Sequence, residues 1–172
     1  NYLSRADIEY HRSGAIVYAV LHATVTEQDI TSVVNKTMAR KMYERGFRLA
    51  AQDRYPEAIE AFAAAIDWNP DEVKAYTNLG VCYAKLAEEK SSIVRGKPVP
   101  PVATREFQLA LRYLRESLRL DSPNASATGN IAAAEVAMGK AFLLRGKTRE
   151  AEACFQRAVR TSPVRAETYN DM

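Results

Sequence analysis

Apolar residues recur with a helical period in three separate segments of the chain. In each segment an alanine is followed four residues later by a large apolar residue: Ala58 and Phe62, Ala110 and Leu114, Ala151 and Phe155. A proline comes after each segment, at Pro70, Pro123 and Pro163. Because proline removes a backbone donor from a helix interior, each one marks a helix end or a restart. The pattern therefore predicts three helices of similar design.

A glycine-containing helix is predicted before each of these segments, with the glycines at Gly46, Gly80 and Gly139. Glycine inside a helix costs about 1 kcal/mol relative to alanine, so it needs a packing reason. We expect the two helices of a pair to cross closely, with Gly80 and Ala110 leaving room at the crossing. Tyr76, Leu79 and Tyr83 would fill the space around it, and Leu114 would pack against the stack.

This unit of helix, turn, helix and proline resembles the tetratricopeptide repeat. In the middle unit Tyr76, Leu79, Gly80 and Tyr83 follow that family's aromatic-x-x-Leu-Gly-x-x-Tyr spacing. Gly46 and Gly80 lie 34 residues apart, which is the family's period. The resemblance covers about residues 39–172. It implies an all-α fold in which antiparallel helix hairpins stack as a right-handed α-solenoid.

The units implied by the resemblance span residues 39–72, 73–123, 124–163 and, as the start of a further helix, 164–172. Ala58 and Ala110 are 52 residues apart, 18 more than the period, and this excess contains the proline-rich residues 96–102. We therefore expect an insertion near 88–105, with a helix running to about residue 94, an exposed proline elbow, and a restart near Thr104. Ala110 and Ala151 are 41 residues apart, which predicts a lengthened first helix over 124–144.

Residues 1–38 do not fit the repeat. We expect non-canonical helices there, either a cap or a degenerate repeat. One helix would cover residues 3–23. A second would begin at Thr26, capped with the help of Asp29, and run into the first repeat.

The composition is that of an ordinary globular chain, with a formal net charge of only +3. Charge alone therefore makes no case for nucleic acid. Cys82 and Cys154 fall on helical positions that we expect to be buried, which argues against a disulfide scaffold. The longest apolar run, residues 14–25, is too short to span a bilayer. We expect an intracellular protein, with the cytoplasm favoured and mitochondrial or nuclear placement left open.

The sequence contains no catalytic constellation. His11 and His22 would lie about 16 Å apart on one helix, too far to share a metal. Neither cysteine has a CxxC neighbour or a histidine partner close in sequence, and no glycine-rich phosphate loop is present. We therefore expect no enzymatic activity, no cofactor and no metal.

Tetratricopeptide repeats line a concave surface mainly with the first helix of each unit. By this resemblance the partner-binding residues are Arg40, Tyr43, Phe47, Lys74, Thr77, Asn78, Val81, Lys85, Val136, Lys140 and Leu143. Cations are mixed with apolar and aromatic groups along this surface. That mixture suits an acidic or amphipathic protein segment, or neighbouring subunits of an assembly.

Some members of the family bind acidic chaperone C-termini through a clamp of lysines, asparagines and an arginine. Asn78 matches one clamp position, but Tyr43, Phe47, Ala133 and Ala137 occupy the others, so we expect no clamp. Two alternatives to a scaffold remain open. One is a helical-repeat RNA-binding component, suggested by the cluster Arg40, Lys41, Arg45 and Arg48. The other is a regulatory domain of an enzyme whose catalytic part lies elsewhere.

Overall fold

The computed structural model describes residues 6–13, 16–23, 27–94 and 98–162, and of the first two ranges only the backbone. Two strands precede six helices. Their bounds are β1 (Ala6–Ser13), β2 (Ile16–Ala23), α1 (Glu27–Ala50), α2 (Tyr55–Trp68), α3 (Val73–Ser91), α4 (Thr104–Leu120), α5 (Ala125–Leu143) and α6 (Thr148–Thr161).

The six helices form three hairpins, in which α1 packs on α2, α3 on α4 and α5 on α6. Successive hairpins also pack on each other, through α2 with α3 and α4 with α5. The apolar residues between them make a row of small clusters along the stack rather than one central core. This arrangement confirms the predicted helical-repeat solenoid.

The N-terminal region differs from its prediction, because residues 6–23 are not helical. β1 and β2 form an antiparallel hairpin in which Ser13 lies opposite Ile16 and Ala6 opposite Ala23. Half of the residues of β2 are β-branched or aromatic, namely Ile16, Val17, Tyr18 and Val20, which favours a strand over a helix. Gly14 lies between the strands in sequence, a residue type common in tight hairpin connections. The expected helix over residues 3–23 is therefore wrong.

The middle hairpin is closely packed at Gly80. A Cβ atom added there would lie 2.6 Å from Leu114 Cγ and 3.0 Å from the carbonyl oxygen of Ala110, both on α4. Leu79, Leu114 and Ala110 are buried around the crossing. The other two hairpins meet in the same way. A Cβ on Gly46 would lie 2.8 Å from the Phe62 ring, and one on Gly139 would lie 2.6 Å from the Phe155 ring.

The insertion in the middle hairpin begins after Ser91, where α3 ends three residues earlier than predicted, and finishes at Thr104, where α4 starts. Pro98 and Val99 are exposed, as expected. Val102 is not: it is half-buried and packs with Ala103 against a cluster that includes Phe107. The expectation of a wholly exposed proline segment is therefore wrong at its C-terminal end.

Arg145, in the turn after α5, holds the insertion in place. Its guanidinium donates hydrogen bonds to the carbonyl oxygens of Ser91 at 2.6 Å, Pro100 at 2.7 Å and Ala141 at 2.6 Å. The hydroxyl of Ser91 accepts a further bond from the backbone N–H of Ala103, at 2.9 Å. Both ends of the insertion are thus bound to the solenoid, and helix-end carbonyls of α3 and α5 are satisfied.

The third hairpin contains an ion pair whose acid is buried and whose arginine is partly exposed. Glu135 of α5 is 1% exposed and accepts two hydrogen bonds of 2.9 Å from Arg157 of α6. α5 has 19 residues, the same as α3, so the first helix of the third unit is no longer than that of the second. The further helix predicted over residues 164–172 lies outside the described residues.

We expect Gly80→Ala to destabilise the fold although alanine favours helix, and Gly80→Leu to cost about 3 kcal/mol or more, because the added atoms overlap Leu114 and the Ala110 carbonyl. The measurement is urea-induced unfolding. Leu114→Ala is the matched control, since it removes the obstructing side chain and should cost less in the Gly80→Ala background than alone. Unchanged unfolding curves for both Gly80 variants would contradict the close crossing.

We expect Arg145→Met to release the insertion, because three charge-assisted hydrogen bonds are lost together, at a cost of about 2 kcal/mol or more. Limited trypsin digestion measures this as faster cleavage after Arg95. The matched control is Arg149→Met, which removes an exposed arginine from α6. Equal cleavage rates for both variants would show that Arg145 does not restrain the segment.

Candidate functional site

The first helices of the three hairpins adjoin one another, since α3 contacts both α1 and α5. Most of the predicted partner-binding residues lie on these helices around three neighbouring pockets. We call the two pockets that share Lys85 the inner groove. Its predicted members are Phe47, Asn78, Val81, Lys85, Val136 and Lys140.

One half of the inner groove is aromatic. Phe47, Asn78, Val81 and Lys85 line a pocket of about 240 Å³, whose remaining walls come from Ala50, Ala51, Tyr55, Phe62 and Cys82. Phe47 is 58% exposed although its ring stacks on the ring of Tyr43. An exposed aromatic ring beside an apolar pocket is a suitable anchor for a partner side chain.

The other half of the inner groove is shallow, with a floor of small side chains. Lys85, Val136 and Lys140 line a pocket of about 390 Å³ together with Ala133 and Ala137. Because Lys85 borders both halves, an extended segment could follow the groove from α1 to α5. Lys85 is ion-paired with Glu88 at 3.1 Å, so the groove presents both signs of charge at this point.

Arg40, Tyr43 and Lys74 line a third pocket, with Lys36, Glu44 and Glu72. Arg40 is ion-paired with Glu44 at 2.9 Å across one helical turn. Such an exposed pair contributes little to stability, so Arg40 can exchange Glu44 for another acid at small cost. The third pocket is therefore mixed in charge rather than uniformly basic.

Tyr43 and Asn78 have roles that sequence reasoning did not anticipate. The Asn78 side-chain amide donates a 3.0 Å hydrogen bond to the Tyr43 hydroxyl, which joins α1 to α3. The Tyr43 ring also contacts Phe62 and Phe47, with centroids 5.6 Å and 6.4 Å away. These contacts join α1 to α3 beside the groove, and the Asn78 amide nitrogen and the Tyr43 hydroxyl oxygen already share a hydrogen bond.

Sequence reasoning also missed residues that line the inner groove. Glu88, Ser91, Ser92 and Leu144 border its shallow half, and Leu144 is 69% exposed. Ser91 and Ser92 lie where the insertion leaves α3, so their contribution depends on how far that helix extends. Leu144 belongs to the turn after α5, outside the helix faces that the repeat resemblance identifies.

The positions at which the resemblance would require the basic residues of a chaperone-tail clamp carry none. Ala133 and Ala137 line the shallow half of the inner groove, Phe47 lines its aromatic half, and Tyr43 lines the third pocket. Among residues 27–94 and 98–162, no cluster of histidine, cysteine and carboxylate side chains could hold a metal. No helix of the described part is long and apolar enough to cross a membrane.

Two titrating groups near the groove have raised pKa values. Burial raises the pKa of the Cys82 thiol from 9.0 to about 11. The hydrogen bond from the Tyr55 hydroxyl to Asp53, together with burial, raises the pKa of Tyr55 to about 12. Neither group is ionised near neutral pH, so both act as neutral walls of the aromatic pocket.

A family model and two relatives match parts of this chain. A family model described as "TPR repeat" matches residues 46–86. Hsp70-Hsp90 organizing protein 3 of Arabidopsis thaliana is 40% identical over 104 residues, covering 51% of this chain and 19% of that protein. Hsp70-Hsp90 organizing protein 1 of Glycine max is 29% identical over 103 residues, covering 51% and 18% respectively. The chain thus spans less than a fifth of these relatives' length.

Among solved structures, the Arabidopsis OM64 TPR domain superimposes with a TM-score of 0.51. The match covers 80% of this chain and 94% of that domain, at 19% sequence identity. At this identity the likeness concerns the fold. It agrees with the stacked hairpins described above.

We expect the buried Cys82 thiol to make stability fall in alkaline solution. Its pKa is raised in the folded state, so its contribution is fully present below pH 9 and is lost as pH rises through about 11. Urea unfolding of the parent and of Cys82→Ala, followed across that range, measures this. The parent should lose about 2 kcal/mol relative to the variant. Parallel pH profiles would contradict the assignment.

Proposed function

Because the chain is a tetratricopeptide-repeat protein, we propose that it is a non-enzymatic scaffold that holds a segment of a partner protein in the inner groove. The observation that carries this proposal is that two neighbouring pockets, lined by residues of all three first helices, share Lys85. Repeats of this kind present extended surfaces rather than closed cavities. Such a surface suits a peptide segment.

The chemistry of the groove favours an amphipathic segment. Phe47 and Val81 offer an apolar anchor site at one end, and Val136 with two alanines offers a flat apolar floor at the other. Lys85 and Lys140 line the groove and Lys74 lines the third pocket, so all three favour acidic residues in the segment. A segment with one large apolar side chain followed by acidic residues would match this order.

The relatives named after Hsp70 and Hsp90 raise the question of chaperone tails. The groove of this chain has alanines and aromatic residues where a clamp for a terminal carboxylate would need cations. We therefore propose that affinity comes from the apolar anchor, and that a free C-terminus is not required. Exposed Leu144 and the insertion, at the far end of the groove, would extend the contact to a larger partner.

We expect Phe47→Ala to weaken binding mainly through faster dissociation, since exposed aromatic anchors commonly contribute about 2 kcal/mol or more. Lys74→Ala should mainly slow association at low salt, because rim cations steer the encounter. A peptide-display library selected on the immobilised 172-residue chain supplies ligands, and surface plasmon resonance gives both rates.

The matched control is Arg112→Ala, an exposed cation on α4, which should change neither rate. Comparing each selected peptide with and without a C-terminal amide tests the carboxylate requirement. The groove proposal fails if the Phe47 and Lys74 variants bind the selected peptides with unchanged rates while substitutions on α4 or in the β1–β2 hairpin abolish binding.

A further inference from the structure

The three hairpins can be aligned residue by residue. The first and third match at a separation of 93 residues, which pairs Gly46 with Gly139 and Phe62 with Phe155. The same separation pairs Asp53 and Gly146, which both adopt the left-handed conformation, with φ of 57° and 69°. The first helices of the first and second hairpins match at 34 residues. Equivalent faces of the helices can therefore be compared directly.

One face of each first helix receives the second helix of the preceding hairpin. On α3 this face carries Leu79 and Cys82, which are buried against α2. On α5 it carries Ala134, Met138 and Ala141, which are buried against α4. Where a neighbouring hairpin packs, these positions are apolar in both helices.

On α1 the equivalent positions are Lys41, Arg45 and Arg48, and all three are exposed. We call this row the first end face. Within the part of the chain that the structure describes, none of the three has an acidic partner within ion-pair distance. A cap that only kept the end of the stack soluble could use polar residues of either sign. A row of one sign instead favours an acidic neighbour.

Among the described residues α6 is the last helix, and a groove lies on the face that in α2 receives the next hairpin. Leu143, Glu152, Phe155 and Val159 line it, and its volume is about 530 Å³. In the first hairpin the equivalent residues are Ala50, Ile59, Phe62 and Ile66, which lie in the apolar cluster that α3 completes. We call the groove on α6 the last end face. Leu143 and Val159 are each about half exposed there, at 51% and 49%.

The two end faces differ from the internal contact in a complementary way. Inside the stack, apolar Ile59 of α2 belongs to the same cluster as Leu79 and Cys82 of α3. At the ends, an acid, Glu152, stands at the position of Ile59, and the cations Arg45 and Arg48 stand at those of Leu79 and Cys82. The apolar residues that make this contact inside the stack are thus replaced by an acid on α6 and by two cations on α1.

We propose that copies of this chain associate head to tail, with α6 of one copy packed on α1 of the next as α2 packs on α3. Glu152 of one copy then meets Arg45 and Arg48 of the other. The Phe155 ring lies under the Arg45 guanidinium, and the aliphatic stem of Lys41 covers Val159. Arg160, which also lines the groove, comes near Arg40 and works against the contact. The interface is heterologous, so it extends rather than closes at a dimer unless the rotation forms a ring.

Sedimentation velocity on the 172-residue chain tests this. The weight-average mass should rise above 19.2 kDa with concentration and fall with added salt. Glu152→Arg should weaken association by about tenfold or more, and so should Arg45→Glu combined with Arg48→Glu. Combining all three substitutions in one chain should restore association, because the swapped charges again match.

Arg112→Glu on α4 is the matched control and should leave association unchanged. A parent that stays monomeric at every concentration overturns the proposal, and so does association that charge reversal does not change. A chain truncated after Ser162 tests the competing occupant of the groove. If the truncated chain associates and the parent does not, the chain's own residues after Ser162 fill the last end face, and the proposal is wrong.

Discussion

The close crossing of the two helices in each hairpin is the contact on which the rest of the structure depends. At Gly80 the backbone of α3 comes so near α4 that a methyl group has no room. That approach fixes the depth at which Leu114 enters the core and brings Leu79 and Cys82 into contact with α2. Since the first and third hairpins cross in the same manner, the stack repeats one geometry, and the inner groove inherits its shape from it.

Much of the helical part could be predicted from the sequence because its determinants are local. The glycines, the Ala-x-x-x-apolar pairs and the prolines mark helix centres and ends within a few residues of where they act. The restart at Thr104 followed from the excess over the repeat period together with proline chemistry. The hairpin over residues 6–23 was missed because an apolar run without a clear period fits a strand or a helix equally well. Arg145 was missed because its three carbonyl partners come together only in the folded chain.

The inner groove was predicted less completely. The repeat resemblance identifies which helix face is available, so Phe47, Val81 and Lys85 could be named. It does not show which polar groups are already used. The hydrogen bond between Asn78 and Tyr43 joins residues 35 positions apart, and no local pattern indicates it. Leu144 and Ser91 reach the groove because of the turn after α5 and the length of α3, and both depend on tertiary packing.

The insertion bears on how such proteins can change. Its two ends are fastened by Arg145 and by the bond between Ser91 and Ala103, independently of the residues between them. The entropy of closing a loop grows only slowly with its length once the ends are fixed. New sequence between Ser92 and Val99 would therefore leave the register of the helices unchanged. This makes the segment a natural graft point, where a recognition loop could be exchanged, in evolution or by design, without rebuilding the solenoid.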